Sequence, residues 1–392
     1  MDDDIIYFDN ASTTKPYSEV VDILNTYSSK YFFNPSSVYV QSQNVKKTIE
    51  DAREKLSRII NCSKDEIFFT SGGTESNNWT IKGIANKYKF KGNHIITSKI
   101  EHHSVLNCCK YLEKSGFKVT FLDVDKNGFV DIDQLKKSIT NETILVSIIF
   151  ANNEIGTIQD IAQIGKICKQ NNVIFHTDAV QAFGHLNVDV KSFNIDLLSV
   201  SGHKFGGPKG IGFLYKSKNI QLGNLLEGGG QEKNRRSGTE NVAGILGLVK
   251  AAEISYTDLG KKNEYIRGLR DYCISRITDE IEHCRLNGDM VNRLPNNVNI
   301  SFEFIEGESL VLNLDKYNIC CSTGSACSSN TLDPSHVLLA IGLNHELSHG
   351  SLRITLNTDN NRGQVDFFID KLKNIVNKLR ELSPLYEDYK NK

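Results

Sequence analysis

Seven short β-rich runs, at 66–70, 94–97, 118–122, 144–150, 173–177, 196–200 and 211–215, follow one another through the middle of the chain. Helical segments fall between most of them, such as 74–89, 104–115 and 160–171. Ahead of the first run, Asn44 to Ile60 places Val45, Ile49, Ala52, Leu56 and Ile59 on one helical face. Apolar runs this continuous must be covered on both sides. The alternation therefore predicts an α/β protein with a mostly parallel sheet sandwiched by helices. From about residue 258 the pattern changes to a long amphipathic helix (261–282), strands near 296–303, 318–321 and 351–356, and helices at 307–315, 335–342 and 363–382. We expect a large domain over 15–257 and a smaller α+β domain built from 1–14 and 258–392.

A chain of 392 residues is long enough for two substantial cores. Its 46 Lys plus Arg nearly balance 47 Asp plus Glu, so no strong field favours nucleic acid or an anionic membrane as a partner. No run approaches the apolar length of a membrane helix. The start, MDDDIIYFDNAS, lacks the zones of an export signal. The nine cysteines are odd in number and have no paired spacing, which predicts reduced thiols in a cytoplasm.

Ligands of open α/β sheets bind beyond the strand ends. Two polar clusters lie there, HTDAVQ (176–181) after Val173 to Phe175, and SGHKFGGPKG (201–210) after Leu197 to Val200. Asp178 and Lys204 delivered together form either a strand-end salt bridge or the pair that pyridoxal phosphate requires. In the second case the amine condenses with the cofactor's aldehyde and the carboxylate keeps the pyridine nitrogen protonated. TSGGTESNN (70–78) opens a helix, and the free amides of its first turn, at Gly73 and Thr74, suit a phosphate. Ser201 and His203 supply further donors beside Lys204. Neither glycine cluster has the lysine-then-hydroxyl ending of a P-loop.

His102, in IEHHSV, is either a hydrogen-bonded strand-end histidine or a ring that lies flat on a cofactor and passes protons. Asn153, in ANNEIGT, and Gln181 follow neighbouring strands, where side-chain amides cap turns or donate to a ligand. Arg353, in GSLRITLN, sits among apolar neighbours and needs an anion, from a substrate or from an internal acid. Cys327 lies in CSTGSACSSNTLDPS (321–335), a stretch with no periodicity that predicts a mobile loop over 321–333. A thiol there suits a nucleophile that must travel, against the alternative of an incidental surface cysteine. Cys320 and Cys321 read as packed strand residues. HELSH (345–349) matches the HExxH zinc pattern, but GLN (342–344) before it and Gly350 after it predict no helix to carry both histidines, so no metal site is expected.

Taken in order, YFDNASTT (7–14), NPSS (34–37), TSGGTESNN, EHHSV, NNEIGT, HTDAVQ, SGHKFGGPKGIG, GGGQEKNRRSGTEN (228–241), STGSACSS (322–329) and GSLRITLN resemble the motifs of class I cysteine desulfurases, the NifS/IscS-like branch of the aminotransferase class V family. The resemblance spans nearly the whole chain. It implies the fold type I architecture of pyridoxal-phosphate-dependent transferases. The implied activity removes sulfur from L-cysteine, leaving L-alanine and a persulfide on Cys327 for an acceptor in iron–sulfur cluster assembly or tRNA thiolation. Selenocysteine cleavage or transamination are the alternatives within the same fold. By position, Lys204 matches the cofactor lysine, Asp178 the pyridine-nitrogen acid, and His102 the stacking, proton-carrying histidine. Gly73, Thr74, Ser201 and His203 match phosphate ligands, with Thr239 reaching in from a second subunit, which implies a homodimer. Gln181 matches the ring-oxygen contact, and Asn153 and Arg353 hold the substrate carboxylate. Two departures stand out. Gly73 replaces a frequent alanine, expected to be harmless, and Asn357 replaces a usual glycine, expected to reset the backbone after Arg353.

Overall fold

The computed structural model of the protein describes residues 5–324 and 333–391. An N-terminal strand, β1 (Ile6–Tyr7), precedes seven strands that form one sheet: β2 (Ile67–Thr70), β3 (His94–Ser98), β4 (Lys118–Leu122), β5 (Thr143–Ser147), β6 (Ile174–Asp178), β7 (Leu197–Ser201) and β8 (Gly212–Lys216). Their spatial order is β2-β8-β7-β6-β5-β3-β4. The pairs β3–β4, β3–β5, β5–β6 and β6–β7 are parallel, while β8 runs antiparallel to both β7 and β2. The mostly parallel sheet expected from the alternation is present. All seven sequence runs become its strands, with ends displaced by one to three residues at most sites.

Residues on successive positions of each strand feed opposite faces. Phe69, Ile96, Val146, Phe175, Leu198 and Phe213 pack in one core cluster. Their immediate neighbours Phe68, Ile95, Leu145, Ile174, Leu197 and Leu214 pack in another. This two-sided burial explains why the strands read as continuous apolar runs rather than as alternating ones. Each buried Leu, Ile or Phe contributes about 1.5–3 kcal/mol. Against these faces lie the helices Val40–Ile59, Gly73–Tyr88, His103–Lys114, Ile161–Gln170 and Val242–Tyr256. The first begins four residues before the expected Asn44, because Val40 to Gln43 form a largely exposed first turn that carries no apolar periodicity.

A smaller antiparallel sheet joins β9 (Cys284–Leu286), β10 (Asn297–Phe302) and a last strand, which follows β11 (Ile319–Cys320) and is β12 (Ser351–Thr355), in the order β12-β10-β9. It packs with the helices Leu259–Glu280, Gly307–Asp315 and Arg362–Glu381 around a core of its own. Ile6 and Phe8 belong to that core, β1 pairs in parallel with β11, and the Phe8 ring meets Phe368 edge-on at 5.5 Å. A fourth cluster unites the two parts. Ile100, Ile149 and Ile155, from loops above the large sheet, bury Val337, Leu338, Ile341 and Leu343. Among the described residues, no helix is long and apolar enough to cross a membrane.

HELSH corrects the expectation that no helix forms there. Residues His345–His349 make one helical turn, started by Asn344 Oδ1, which accepts from the Leu347 amide at 2.8 Å. The glycine at 342 and Gly350 limit its length rather than prevent it. Among the described residues, no group of three or more His, Cys, Asp or Glu is gathered as a metal site.

Candidate active site

The strand ends β2, β3, β5, β6 and β7 share one edge of the large sheet, and a cavity of about 450 Å³ opens there. Gly73, Thr74, His102, Asn153, Asp178, Gln181, Ser201, His203, Lys204 and Arg353 all line it. These residues come from five strand-end loops of the large sheet and from β12 of the small one. Thr239 does not line the cavity of its own chain; it borders a separate hollow beside Phe69 and Arg236. The segment that carries it is anchored by Glu232, whose carboxylate accepts twice from the buried Arg53 at 2.9 Å and once from the Phe69 amide. Cys327 lies outside the described residues. The ends of its segment do not: Gly324 and His336 both line the cavity.

Lys204 ends a single turn, Gly202–Lys204, directly after β7. Its Nζ donates to the carbonyl oxygens of Ala11 at 2.6 Å and Ser12 at 2.9 Å. Asp178 is the last residue of β6 and is buried. Its Oδ2 accepts from Asn77 Nδ2 at 2.7 Å and its Oδ1 from the Val180 amide at 3.0 Å. These bonds aim the carboxylate and leave it a strong acceptor at the cavity wall. Gln181 donates to the Ala11 carbonyl at 3.0 Å, so residues 11 and 12 are held by two of the predicted site residues.

His102 caps the helix His103–Lys114, its Nδ1 accepting from the Ser104 amide at 3.1 Å. Burial pushes its imidazolium form down; nearby Asp178 opposes this, while Lys204 and His103 add to it. His203 is driven down to about 4, first by burial and then by Lys204 and Lys209, which favours the neutral ring. Its Nδ1 meets Thr13 Oγ1 at 3.1 Å.

Arg353 is buried on β12, and an internal acid does hold it: Nη2 reaches Asp9 Oδ1 at 2.9 Å and Ser12 Oγ at 2.8 Å, and Nη1 reaches the Asn153 carbonyl at 3.1 Å. Its Nε is buried with no partner among the described residues. The two readings of Arg353 are therefore not exclusive, because a guanidinium oriented by Asp9 retains a donor. Asn357 lacks positive φ, so the backbone after Arg353 does not need glycine. Its amide is taken by Asn360 Oδ1 at 2.7 Å.

Three features were not foreseen. Glu101 lines the cavity fully buried, and burial raises its carboxyl to about 8 against the pull of Ser98 and the Ile149 amide. Glu154, also buried, is raised to about 7, and its Oε2 meets Ser335 Oγ at 2.5 Å. Asn77 contacts Asp178 from the second turn of the helix Gly73–Tyr88. Acids in loops and an amide within a helix read as solvated groups from sequence, and only burial distinguishes these.

A phosphorylated pyridine ring fits this donor set. At the start of the helix Gly73–Tyr88 the first-turn amides have no carbonyl to pair with inside the helix, and Ser201 and His203 stand beside them. An amine and a buried carboxylate complete the requirement. Glycine at 73 is adapted to its surroundings, since a Cβ there would lie 2.5 Å from Val180 Cγ2. Overpacking of this kind costs about 1–3 kcal/mol. Gly73→Ala is expected to weaken pyridoxal phosphate binding roughly tenfold, and Val180→Ala in the same chain to restore it. Fluorescence titration of the cofactor-free protein reads both, and unchanged affinity in Gly73→Ala would refute the steric argument.

Known proteins resemble this chain over nearly its whole length. The aminotransferase class-V family model matches residues 6–368. A protein of Clostridium botulinum named cysteine desulfurase IscS is 54% identical over 390 residues, covering 99% of this chain and 98% of its own. A cysteine desulfurase IscS of Methanosarcina thermophila is 52% identical over 380 residues, covering 97% and 94%. Among solved structures, a NifS-like protein superposes with a TM-score of 0.90 at 36% identity, over 95% of this chain and 99% of that one. A structure described as SspA in complex with cysteine gives a TM-score of 0.80 at 36% identity, over 90% and 99%.

Proposed function

We propose, from the premise that the chain belongs to the aminotransferase class V family and is a pyridoxal-phosphate-dependent cysteine desulfurase of class I, that the cavity at the strand ends is its catalytic centre. One observation carries the assignment. Lys204, Asp178, His102 and Arg353, from four separate elements, line a single cavity.

Bound there, pyridoxal phosphate supplies an electron-withdrawing ring that stabilises negative charge at the substrate α-carbon. The residues do the rest. Gly73 and Thr74 amides, Ser201 and His203 bind the phosphate, joined by Thr239 from a second copy. Asp178 holds a proton on the ring nitrogen, and Gln181 contacts the ring oxygen. Arg353, with Asn153, binds the carboxylate of L-cysteine through a guanidinium that Asp9 has already oriented. Lys204 Nζ takes the proton from Cα. His102 moves a further proton. Cys327 Sγ, as a thiolate, attacks the substrate sulfur: a new S–S bond forms as the Cβ–S bond breaks, and protonation of the remaining carbon fragment yields L-alanine. The persulfide on Cys327 then passes to an acceptor protein such as an iron–sulfur scaffold, or into tRNA thiolation.

The homodimer is supported by Thr239 lining a hollow separate from the cavity of its own chain and by exposed apolar side chains at Phe32, Val38 and Val40. We read the large domain as 15–257 and the small one as 1–14 with 258–392; the separate core around Ile6, Phe8 and Phe368 supports that division. A cytoplasmic setting is supported by eight described cysteines, all free.

Cys327→Ala is expected to keep the yellow cofactor bound and to lose sulfide and alanine production by at least about 10³-fold. Parallel assays of alanine, sulfide and visible absorbance check this, and full turnover in the variant would overturn the assignment.

A further inference from the structure

Asn77 is buried between Asp178 and Ser104 and uses both hydrogens of one amide nitrogen. Nδ2 donates to Asp178 Oδ2 at 2.7 Å and to Ser104 Oγ at 2.8 Å. Its Oδ1 is buried with no partner among the described residues. Exchanging the two atoms would press a carbonyl oxygen against the Asp178 carboxylate, so electrostatics fix the amide orientation. Asn77 thereby fills an acceptor position on Ser104 Oγ and directs the hydroxyl hydrogen at His102 Nδ1, 2.8 Å away. The Ser104 amide points at the same nitrogen. A ring nitrogen that accepts two hydrogen bonds carries no proton, so the neutral ring carries it on Nε2.

We propose that Asn77 is a positioning residue that ties Asp178 to His102 through Ser104, fixing the carboxylate and holding the imidazole neutral with its proton on Nε2. Its catalytic consequence rests on the roles assigned above to Asp178 and His102. A neutral imidazole adds no positive charge beside a ring nitrogen that Asp178 keeps protonated, and it begins turnover as a donor at Nε2. Other groups around His102 act in the same sense or against it. Burial, Lys204 and His103 disfavour the imidazolium, Asp178 favours it, and His336 approaches from the helix His336–Ala340.

The test is nitrogen NMR of histidine-labelled enzyme with cofactor bound, with His102 assigned by its loss in His102→Gln. In the unaltered enzyme His102 is expected to show a protonated Nε2 and a bare Nδ1, and to stay neutral below the ordinary histidine range. Asn77→Leu keeps the branched shape but removes the donors. It is expected to move the His102 titration up towards that range and to lower kcat roughly tenfold with little change in KM. Ser104→Ala leaves the Asp178 contact and is expected to shift His102 in the same direction by less, and it decides the matter if Asn77→Leu does not fold. A protonated Nδ1 in the unaltered enzyme, or unchanged titration in the variants that fold, would overturn the proposal. Full turnover by Cys327→Ala together with the expected His102 response would instead remove the sulfur-transfer assignment and leave this one standing.

Discussion

Lys204→Ala is expected to produce a colourless protein with desulfurase activity reduced by at least about 10⁴-fold. Two losses combine. In its proposed roles the lysine is both the covalent partner of the cofactor and the base for the α-proton, and loss of a base alone is worth roughly 10²- to 10⁴-fold. No other amine replaces it, because Lys204 is the one lysine lining the cavity among the described residues. The hydrogen bonds from Nζ to the Ala11 and Ser12 carbonyls are lost as well, so the fold of the variant is checked beside its activity. Visible absorbance after reconstitution, sulfide release and thermal unfolding together check the prediction. A yellow, active Lys204→Ala enzyme would refute the assigned role.

Asp178→Asn is the second large effect. The substitution preserves shape and removes the charge proposed to hold a proton on the ring nitrogen. It also places an amide beside Asn77 Nδ2 and the Val180 amide, both of which donate to the native carboxylate. An NH₂ group turned towards either donor leaves an unsatisfied contact in a buried site. Loss of one preorganised charge at a reacting centre costs on the order of 10²- to 10³-fold in kcat. Cofactor affinity is expected to fall less, because the phosphate donors lie on other loops. Steady-state kinetics with the enzyme saturated in cofactor separate the two, and an unchanged kcat would remove Asp178 from the proposed chemistry.

Much of this site was legible before the fold. Lys204 and Asp178 each follow a buried strand run, so their position at a sheet edge is a local fact. Gly73 and Thr74 were legible for the same reason, as the first turn of a helix after a strand. Arg353 was legible as a cation among apolar neighbours, though not its pairing with Asp9, which stands far away in sequence and beside it in space. Asn77 was not legible at all. Its position in a helix gives no sign that it faces Asp178 rather than water. Glu101 and Glu154 were likewise hidden, because nothing in a loop sequence tells a buried carboxyl from a solvated one.

Residue order along the chain sets the period of each element and hence the sheet, its two covered faces and the chemistry of the residues at its edge. Periodicity is a property of neighbours along the chain, with spacing set by backbone geometry. Tertiary structure alone decided which of those side chains share a cavity, which acids lose water, and how Asn77 and Ser104 divide their hydrogens between Asp178 and His102. Those outcomes depend on distances between segments remote in sequence, and burial changes the energy of a charge or an unpaired donor far more than the identity of its neighbours in the chain.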